Sequence, residues 1–103
     1  MLDNLLANAL EVAPRGSVVT VAARPAGDWV ELHVIDRGPG MSPEERARAF
    51  DRFWQAGSGT GGSGLGLAIV RRLVAADGGE VVLEAEDGGG LDAVVRLLSA
   101  RRR

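Results

Sequence analysis

The sequence predicts an α/β (α+β) two-layer sandwich, in which helices cover one face of a sheet. The chain has 103 residues, 46% of them hydrophobic, which suffices for one compact core. Segments of helical and strand periodicity follow one another as helix, strand, strand, helix, helix, strand, strand. Both strand pairs are joined by short glycine-containing segments, which are typical of hairpins. We therefore expect a single domain over residues 1–103.

The first half of the chain predicts one helix and one hairpin. Apolar residues recur at helical spacing over residues 2–13, and the pattern ends at Pro14. Residues 17–24 and 29–36 alternate in polarity and are joined by the turn sequence PAGD. Asp36 has the same parity as the apolar residues of the second strand. Its carboxylate is therefore expected on the packed side of the sheet, where a charge needs a partner.

The second half predicts two further helices and a second hairpin. Ser42 and Glu45 form a capping-box pattern for a short helix over residues 43–51. A long segment of mostly Gly and Ser follows, and residues 54–63 within it are predicted to form a mobile lid. The next helix is expected over residues 65–76. Strands are expected at residues 80–86 and 91–98, joined by the sequence DGGG.

The composition excludes several classes of function. All twelve basic residues are Arg, so the chain lacks the Lys that P-loop NTPases and protein kinases of the common fold require. There is no Cys and a single His, which leaves oxygen as the ligand atom for any metal. The net charge of −2 argues against nucleic acid as a partner. No apolar run is long enough to cross a bilayer, so we expect a soluble domain without direct membrane contact.

Three segments carry residues suited to binding a ligand. Asn4 and Asn8 lie one helical turn apart, either as a solvated polar face or as amide ligands of the kind that Mg2+ accepts. Residues 36–40 (DRGPG) read either as a simple turn or as a site where a carboxylate accepts a hydrogen bond from an exocyclic amine. Residues 62–67 (GSGLGL) open a helix, whose free backbone N–H groups form an anion site without any Lys.

Together these segments resemble the catalytic ATP-binding domain of sensor histidine kinases, in the GHKL superfamily. Residues 4–9 (NLLANA) are similar to the N box, and residues 36–40 to the G1 box. Residues 50–53 (FDRF) are similar to the F box, and residues 62–70 (GSGLGLAIV) to the G2 box. The resemblance implies a Bergerat fold, with three helices on one face of a mixed, mostly antiparallel sheet and a flexible ATP lid. It also marks the chain as N-terminally truncated, because it begins inside the N box.

The resemblance implies ATP and Mg2+ as cofactors and assigns roles to individual residues. Asn8 would coordinate the metal, Asp36 would bind the adenine amine, and Arg52 would reach the terminal phosphates. The implied catalytic residues are Asn4, Asn8 and Arg52. The implied ATP-binding residues are Asn4, Asn8, Asp36, Gly38, Gly40, Phe50, Phe53, Gly62, Gly64, Leu65, Gly66 and Leu67.

The resemblance further implies transfer of the γ-phosphoryl group to a histidine on a separate dimerisation and phosphoacceptor segment, and from there to a response regulator. It also implies a cytoplasmic location for this domain, with or without a membrane anchor elsewhere in the full-length kinase. Hydrolytic relatives such as gyrase B carry a Glu where this chain has Asn4, and a neutral amide is not a useful general base. Slow intrinsic hydrolysis is therefore expected. His33 is not expected to be the acceptor, because it lies within a strand. Two alternatives remain: a serine kinase of the anti-sigma type, and a nucleotide-binding module without transfer activity, which Glu11 and Gln55 favour because relatives usually carry basic residues there.

Overall fold

The computed structural model describes residues 2–51 and 66–99. The elements occur in the order α1 (Leu2–Val12), β1 (Thr20–Ala26), β2 (Trp29–Asp36), α2 (Pro43–Arg48), α3 (Gly66–Ala76), β3 (Glu80–Ala85) and β4 (Leu91–Leu98). The predicted succession of helices and strands is confirmed. The predicted lid, residues 54–63, lies outside the described residues.

The four strands form one sheet in the order β1-β2-β4-β3. Each neighbouring pair among these strands is antiparallel, so the part of the sheet that the structure describes contains no parallel pair. Asp36 pairs with Leu91, which places the end of β2 beside the start of β4. The connection from β2 to β4 passes through α2, α3 and β3. The chain thereby brings the segment after β2 next to the turn before β4.

The bounds of β1 differ from the prediction of residues 17–24. Ser17 is held in a turn, because both its N–H and its hydroxyl donate to the carbonyl oxygen of Pro14, at 3.0 and 2.6 Å. At its other end the strand continues through Pro25, which pairs with Val30. A proline is tolerated there because β1 lies at the edge of the sheet, where one side of the strand needs no ladder hydrogen bond.

The predicted capping box of α2 is confirmed. Ser42 Oγ accepts from the N–H of Glu45 at 3.1 Å, and Glu45 Oε1 accepts from the N–H of Ser42 at 2.8 Å. The helix ends at Arg48 rather than at residue 51, because the N–H of Ala49 bonds back three residues to Arg46. No residue of α2 is buried, so the helical layer over the sheet consists mainly of α1 and α3.

The core lies between α1, α3 and the face of β2 and β4 toward them. It comprises Leu5, Ala9, Val34, Val70, Val74, Ala93 and Val95. Val34 and Ala93 are partners in register, so the two central strands present alternate residues to the helices. None of the helices within residues 2–51 and 66–99 is long and apolar enough to span a membrane.

Candidate functional site

Asp36 ends β2 on the side of the sheet that faces the helices, as its parity predicted. The residue is only 3% exposed, and its Oδ1 accepts a hydrogen bond from the backbone N–H of Gly38 at 2.8 Å. A carboxylate offers several acceptor positions, so this bond leaves capacity for a further donor. The low-dielectric surroundings strengthen a hydrogen bond to this acceptor, for example one from an amine on a ligand.

Gly38 and Gly40 allow the loop after β2 to approach other backbone segments closely. A Cβ atom on Gly38 would lie 2.8 Å from the carbonyl oxygen of Val12, at the end of α1. Gly40 has a φ of +72°, and its Cβ would lie 2.9 Å from the carbonyl oxygen of Gly90. Both positions therefore exclude any other residue for a reason internal to the protein. The sequence alone suggested only that a ligand comes close here.

Asn8 points to the start of α3. Its Nδ2 is buried and has no hydrogen-bond partner among the described residues. A Cβ on Gly66, the first residue of α3, would lie 3.1 Å from that nitrogen. A buried amide without a partner is uncommon and calls for an explanation. A ligand atom that accepts a hydrogen bond from Nδ2 would supply one.

The amino end of α3 is suited to an anion. The helix has 11 residues and no acidic residue in its first turn, so no side chain opposes the positive end of its dipole. Leu67 is partly buried and packs on the core, which anchors this end of the helix. Gly66 leaves room for the Asn8 amide beside it. The N–H groups of the first helical turn, which have no acceptor within the helix, and the neighbouring amide together fit the phosphate chain of a nucleotide.

One stripe of α1 connects the two halves of the site. Asn4, Asn8 and Val12 are spaced by four residues and therefore lie on one face of the helix. Val12 contacts the loop at Gly38, whereas Asn8 contacts the start of α3. Four residues of helix span about 6 Å. The loop that carries Asp36 and the amino end of α3 therefore contact α1 about one helical turn apart. Asn4 is half-buried one turn further along.

Phe50 is half-buried after α2, and the guanidinium of Arg71 in α3 lies 5.5 Å from the centre of its ring. Such a cation–π contact ties the segment after α2 to α3. The remaining predicted site residues lie outside the described part of the chain; they are Arg52, Phe53, Gly62, Gly64 and Leu65.

The residues present fit a magnesium nucleotide. Within residues 2–51 and 66–99 there is no cluster of three His, Cys, Asp or Glu side chains for a metal. A cation here would therefore depend on an amide oxygen and on the ligand's own oxygens, as Mg2+ commonly does. Asn8 could offer its amide oxygen to the metal, while Nδ2, which has no hydrogen-bond partner in the described part of the chain, donates to a phosphate oxygen.

Two contributors to the site were missed by the sequence analysis. The carbonyl oxygen of Val12 faces Gly38, and the carbonyl oxygen of Gly90 faces Gly40. The run of three glycines at residues 88–90 was interpreted only as a turn. The glycine run was itself the available signal, since all three glycines adopt positive φ angles, +83°, +104° and +108°, which other residues rarely take.

Residues 1–101 match the family of histidine kinase-, DNA gyrase B- and HSP90-like ATPases. The chain belongs to this family. A similar member is the sensor-like histidine kinase SenX3 of Mycobacterium tuberculosis, 42% identical over 93 residues, which cover 86% of this chain and 23% of SenX3. Histidine protein kinase DivJ of Caulobacter vibrioides is 42% identical over 97 residues, which cover 91% of this chain and 16% of DivJ.

Solved structures of this ATPase family are also similar. The mycobacterial sensor histidine kinase MprB superposes with a TM-score of 0.86 at 35% identity, covering 92% of this chain and 65% of that one. Full-length ShkA in complex with AMPPNP superposes with a TM-score of 0.80 at 39% identity, covering 93% of this chain and 20% of ShkA. Within the family, the chain is therefore of the ATP-binding catalytic domain type found in sensor histidine kinases.

Proposed function

We propose that this chain binds ATP with Mg2+ and transfers the γ-phosphoryl group to a histidine on a separate dimerisation and phosphoacceptor segment. The observation that carries the proposal is the buried Nδ2 of Asn8, which has no hydrogen-bond partner among the described residues and lies against the start of α3, one helical turn from the contact between Val12 and Gly38. It is supported by membership of the histidine kinase-like ATPases. It is also supported by the similarity to ShkA, whose structure contains AMPPNP.

In this proposal each half of the site binds one half of the nucleotide. Asp36 accepts a hydrogen bond from the exocyclic amine of adenine while it holds the N–H of Gly38. Asn8 binds the metal through its amide oxygen and donates from Nδ2 to a phosphate oxygen, and Asn4 supports the same site from the preceding turn. The N–H groups at Gly66 and Leu67 face the phosphates. The bound metal would neutralise phosphate charge, which is the main requirement of phosphoryl transfer.

The segment between α2 and α3 completes the proposed site. Residues 54–63 are proposed to be the ATP lid within a single domain spanning residues 1–103. Arg52 is proposed to reach the terminal phosphates, and Phe53 to anchor the lid together with Phe50. The remaining proposed contacts to the phosphates come from Gly62, Gly64 and Leu65.

The neutral side chain of Asn4 favours transfer over hydrolysis. A water molecule in the site would need a general base, and an amide does not serve as one near neutral pH. We therefore expect slow ATP hydrolysis by the chain alone. His33 is not the proposed acceptor, because its side chain is 12% exposed and is held between Asp92 and Glu31 in the sheet. The acceptor and, through it, a response regulator are the proposed partners.

Calorimetry tests the first half of the proposal. ATP titrated into the folded chain in magnesium buffer should release or absorb heat with a defined stoichiometry, and GTP should bind more weakly. An absence of binding by any adenine nucleotide would contradict the proposal as a whole.

A transfer assay tests the second half. The chain is mixed with labelled ATP and with the acceptor hairpin of a similar sensor kinase, and acid-labile phosphate on the hairpin is measured. His33 is the chain's one histidine, so His33→Gln removes the one acceptor that the chain itself could offer. This variant should phosphorylate the hairpin as well as the wild type does. Nucleotide binding without acid-labile phosphoprotein would favour a binding module. Acid-stable phosphoserine on an added sigma-antagonist protein would instead favour the serine kinase.

A further inference from the structure

The turn between β3 and β4, residues 87–90, packs directly on the loop that follows Asp36. Gly90 is buried, and a Cβ atom there would overlap the carbonyl oxygen of Asp36 and lie 3.1 Å from the Cα of Arg37. On the same side, the carbonyl oxygen of Gly90 lies 2.9 Å from where Gly40 would carry a Cβ. The two segments therefore touch backbone to backbone, with no side chain between them.

Arg37 provides a second connection between the same two segments. Its Nη1 donates to the carbonyl oxygen of Asp87 at 2.9 Å, and its Nη2 lies 4.0 Å from a carboxylate oxygen of Glu86. A charged donor to a carbonyl oxygen forms a stronger bond than a neutral donor does. The guanidinium thus holds the turn from its outer side, while Gly90 contacts the loop from the inner side.

These contacts reach the carboxylate of Asp36 through its own backbone. Any displacement of the Asp36 carbonyl rotates the residue and moves its carboxylate. The same carboxylate binds the N–H of Gly38, so a displacement also alters the position of that glycine. Misplacement by about 1 Å can cost about a hundredfold in a site that depends on positioning. The geometry of the turn is therefore expected to affect a ligand that it does not touch.

We propose that Gly90 and Arg37 are positioning residues for base recognition: Gly90 contacts and fixes the backbone of Asp36, and the guanidinium of Arg37 holds the turn before β4 in place. This inference rests on the proposed function, in which Asp36 binds adenine. It adds two positioning residues, Gly90 and Arg37, that set the discrimination between adenine and guanine nucleotides.

Adjacent glycines provide a matched pair of variants. Gly89 and Gly90 have φ angles of +104° and +108°, so an alanine is similarly strained at either position. A Cβ on Gly89 meets nothing within 4 Å, whereas a Cβ on Gly90 meets Asp36. We expect Gly90→Ala to weaken ATP binding by about tenfold or more, to reduce the ratio of ATP to GTP affinity, and to shift the amide resonance of Gly38. Gly89→Ala should leave all three close to those of the wild type.

A second pair of variants removes the clamp without introducing a clash, in case Gly90→Ala does not fold. Arg37→Gln should weaken ATP binding by about two- to fivefold and shift the same Gly38 resonance. Arg48→Gln is its control, since Arg48 is 68% exposed and has an ion pair of 3.8 Å with Asp51. It should bind ATP as the wild type does.

The affinities are measured by calorimetry with ATP and GTP in magnesium buffer, and the resonance by amide-proton NMR. If Gly90→Ala and Gly89→Ala change the ATP affinity, the ATP-to-GTP ratio and the Gly38 resonance equally, this inference is overturned. An Arg37→Gln variant with unchanged affinity and an unchanged Gly38 resonance would overturn it as well. In both cases the proposal that the wild type binds ATP would still stand. Failure of the wild type to bind ATP would instead overturn the proposed function, and this inference with it.

Discussion

The side-chain amide of Asn8 lies against Gly66, so that a Cβ at Gly66 would come within 3.1 Å of Nδ2. The contact places Nδ2, which has no hydrogen-bond partner within residues 2–51 and 66–99, at the amino end of α3. It explains why the first position of α3 is a glycine, because any larger residue would push the amide away. It also brings together two segments that are separated by more than 50 residues in the chain.

Gly66→Ala tests this contact. The new methyl group should displace the Asn8 amide by a few tenths of an ångström, because 3.1 Å is closer than an ordinary van der Waals contact. We expect a weaker dependence of ATP binding on Mg2+, measured by titrating the metal at fixed nucleotide. Alanine is a better helix former than glycine, so the melting temperature should hold or rise. Unchanged metal dependence would count against Asn8 as part of the site.

Asn8→Asp tests the assignment of the metal ligand. A carboxylate binds Mg2+ more strongly than an amide does but repels phosphates, so the Mg2+ concentration at half-maximal ATP binding should change. Ala7→Asp is the matched control, since it adds the same charge to an exposed position of α1. It should leave the metal titration nearly unaltered. Equal effects of the two variants would show that only the added charge matters.

Asp36→Asn tests the base site. The amide oxygen of Asn can still accept from Gly38, but its NH2 group would face the adenine amine, donor against donor. A hydrogen bond to a charged group contributes about 1.5–3 kcal/mol, so ATP should bind about ten- to a hundredfold more weakly. GTP should be affected much less. Glu84→Gln removes one charge from an exposed position of β3 and serves as control. Equal weakening of ATP and GTP would remove Asp36 from base recognition.

The stability of the sheet should depend on the protonation of His33. The pKa of His33 is raised, chiefly because Asp92 accepts a hydrogen bond from Nδ1 at 2.9 Å, an effect that partial burial opposes. Glu31 lies 3.4 Å from Nε2 and raises the pKa further, whereas the charge of Arg24 on β1 lowers it. Folding therefore favours the protonated imidazole.

The sign of the pH dependence follows from this raised pKa. The ion pair between His33 and Asp92 stabilises the fold fully below about pH 6.5, the ordinary pKa of histidine. This contribution is lost as the pH rises through the higher pKa that His33 has in the folded protein. The difference in melting temperature between wild type and His33→Gln should therefore shrink with rising pH. An NMR titration of the single histidine should show the raised pKa, and Asp92→Asn should lower it. A difference in melting temperature between wild type and His33→Gln that stays constant or grows with pH would contradict the prediction.

Two leucines of α1 should differ sharply in their contribution to stability. Leu5 is 2% exposed in the core, and Leu5→Ala should destabilise the fold by about 2–5 kcal/mol through lost burial and a cavity. Leu10 is 65% exposed, and Leu10→Ala should change stability by at most about 0.5 kcal/mol. Urea denaturation followed by circular dichroism measures both. Similar losses would mean that α1 does not pack on the sheet through Leu5.

Local patterns in the sequence predicted most of the fold. The strand from Trp29 to Asp36 and the strand from Leu91 to Leu98 were predicted with the bounds that the structure shows. Both are runs rich in apolar residues and bounded by turn sequences, which is a strong strand signal. The predicted start of β1 at residue 17 was wrong, because Ser17 forms a turn with Pro14 that competes with strand pairing. The end of α2 was also wrong, because a hydrogen bond over three residues terminates it.

The candidate site divides in the same way between local and long-range information. Residue type and periodicity predicted that Asp36 is buried and that Asn4 and Asn8 share one face of a helix. They also predicted that glycines follow Asp36 and lie at the start of α3. Only the tertiary structure decided what those glycines touch: Val12 against Gly38, Gly90 against Asp36 and Gly40, and Asn8 against Gly66. His33 and Asp92, 59 residues apart, are joined in the same way. Periodicity reports which face a residue occupies, whereas a contact between distant segments depends on strand order and register, which no local pattern encodes.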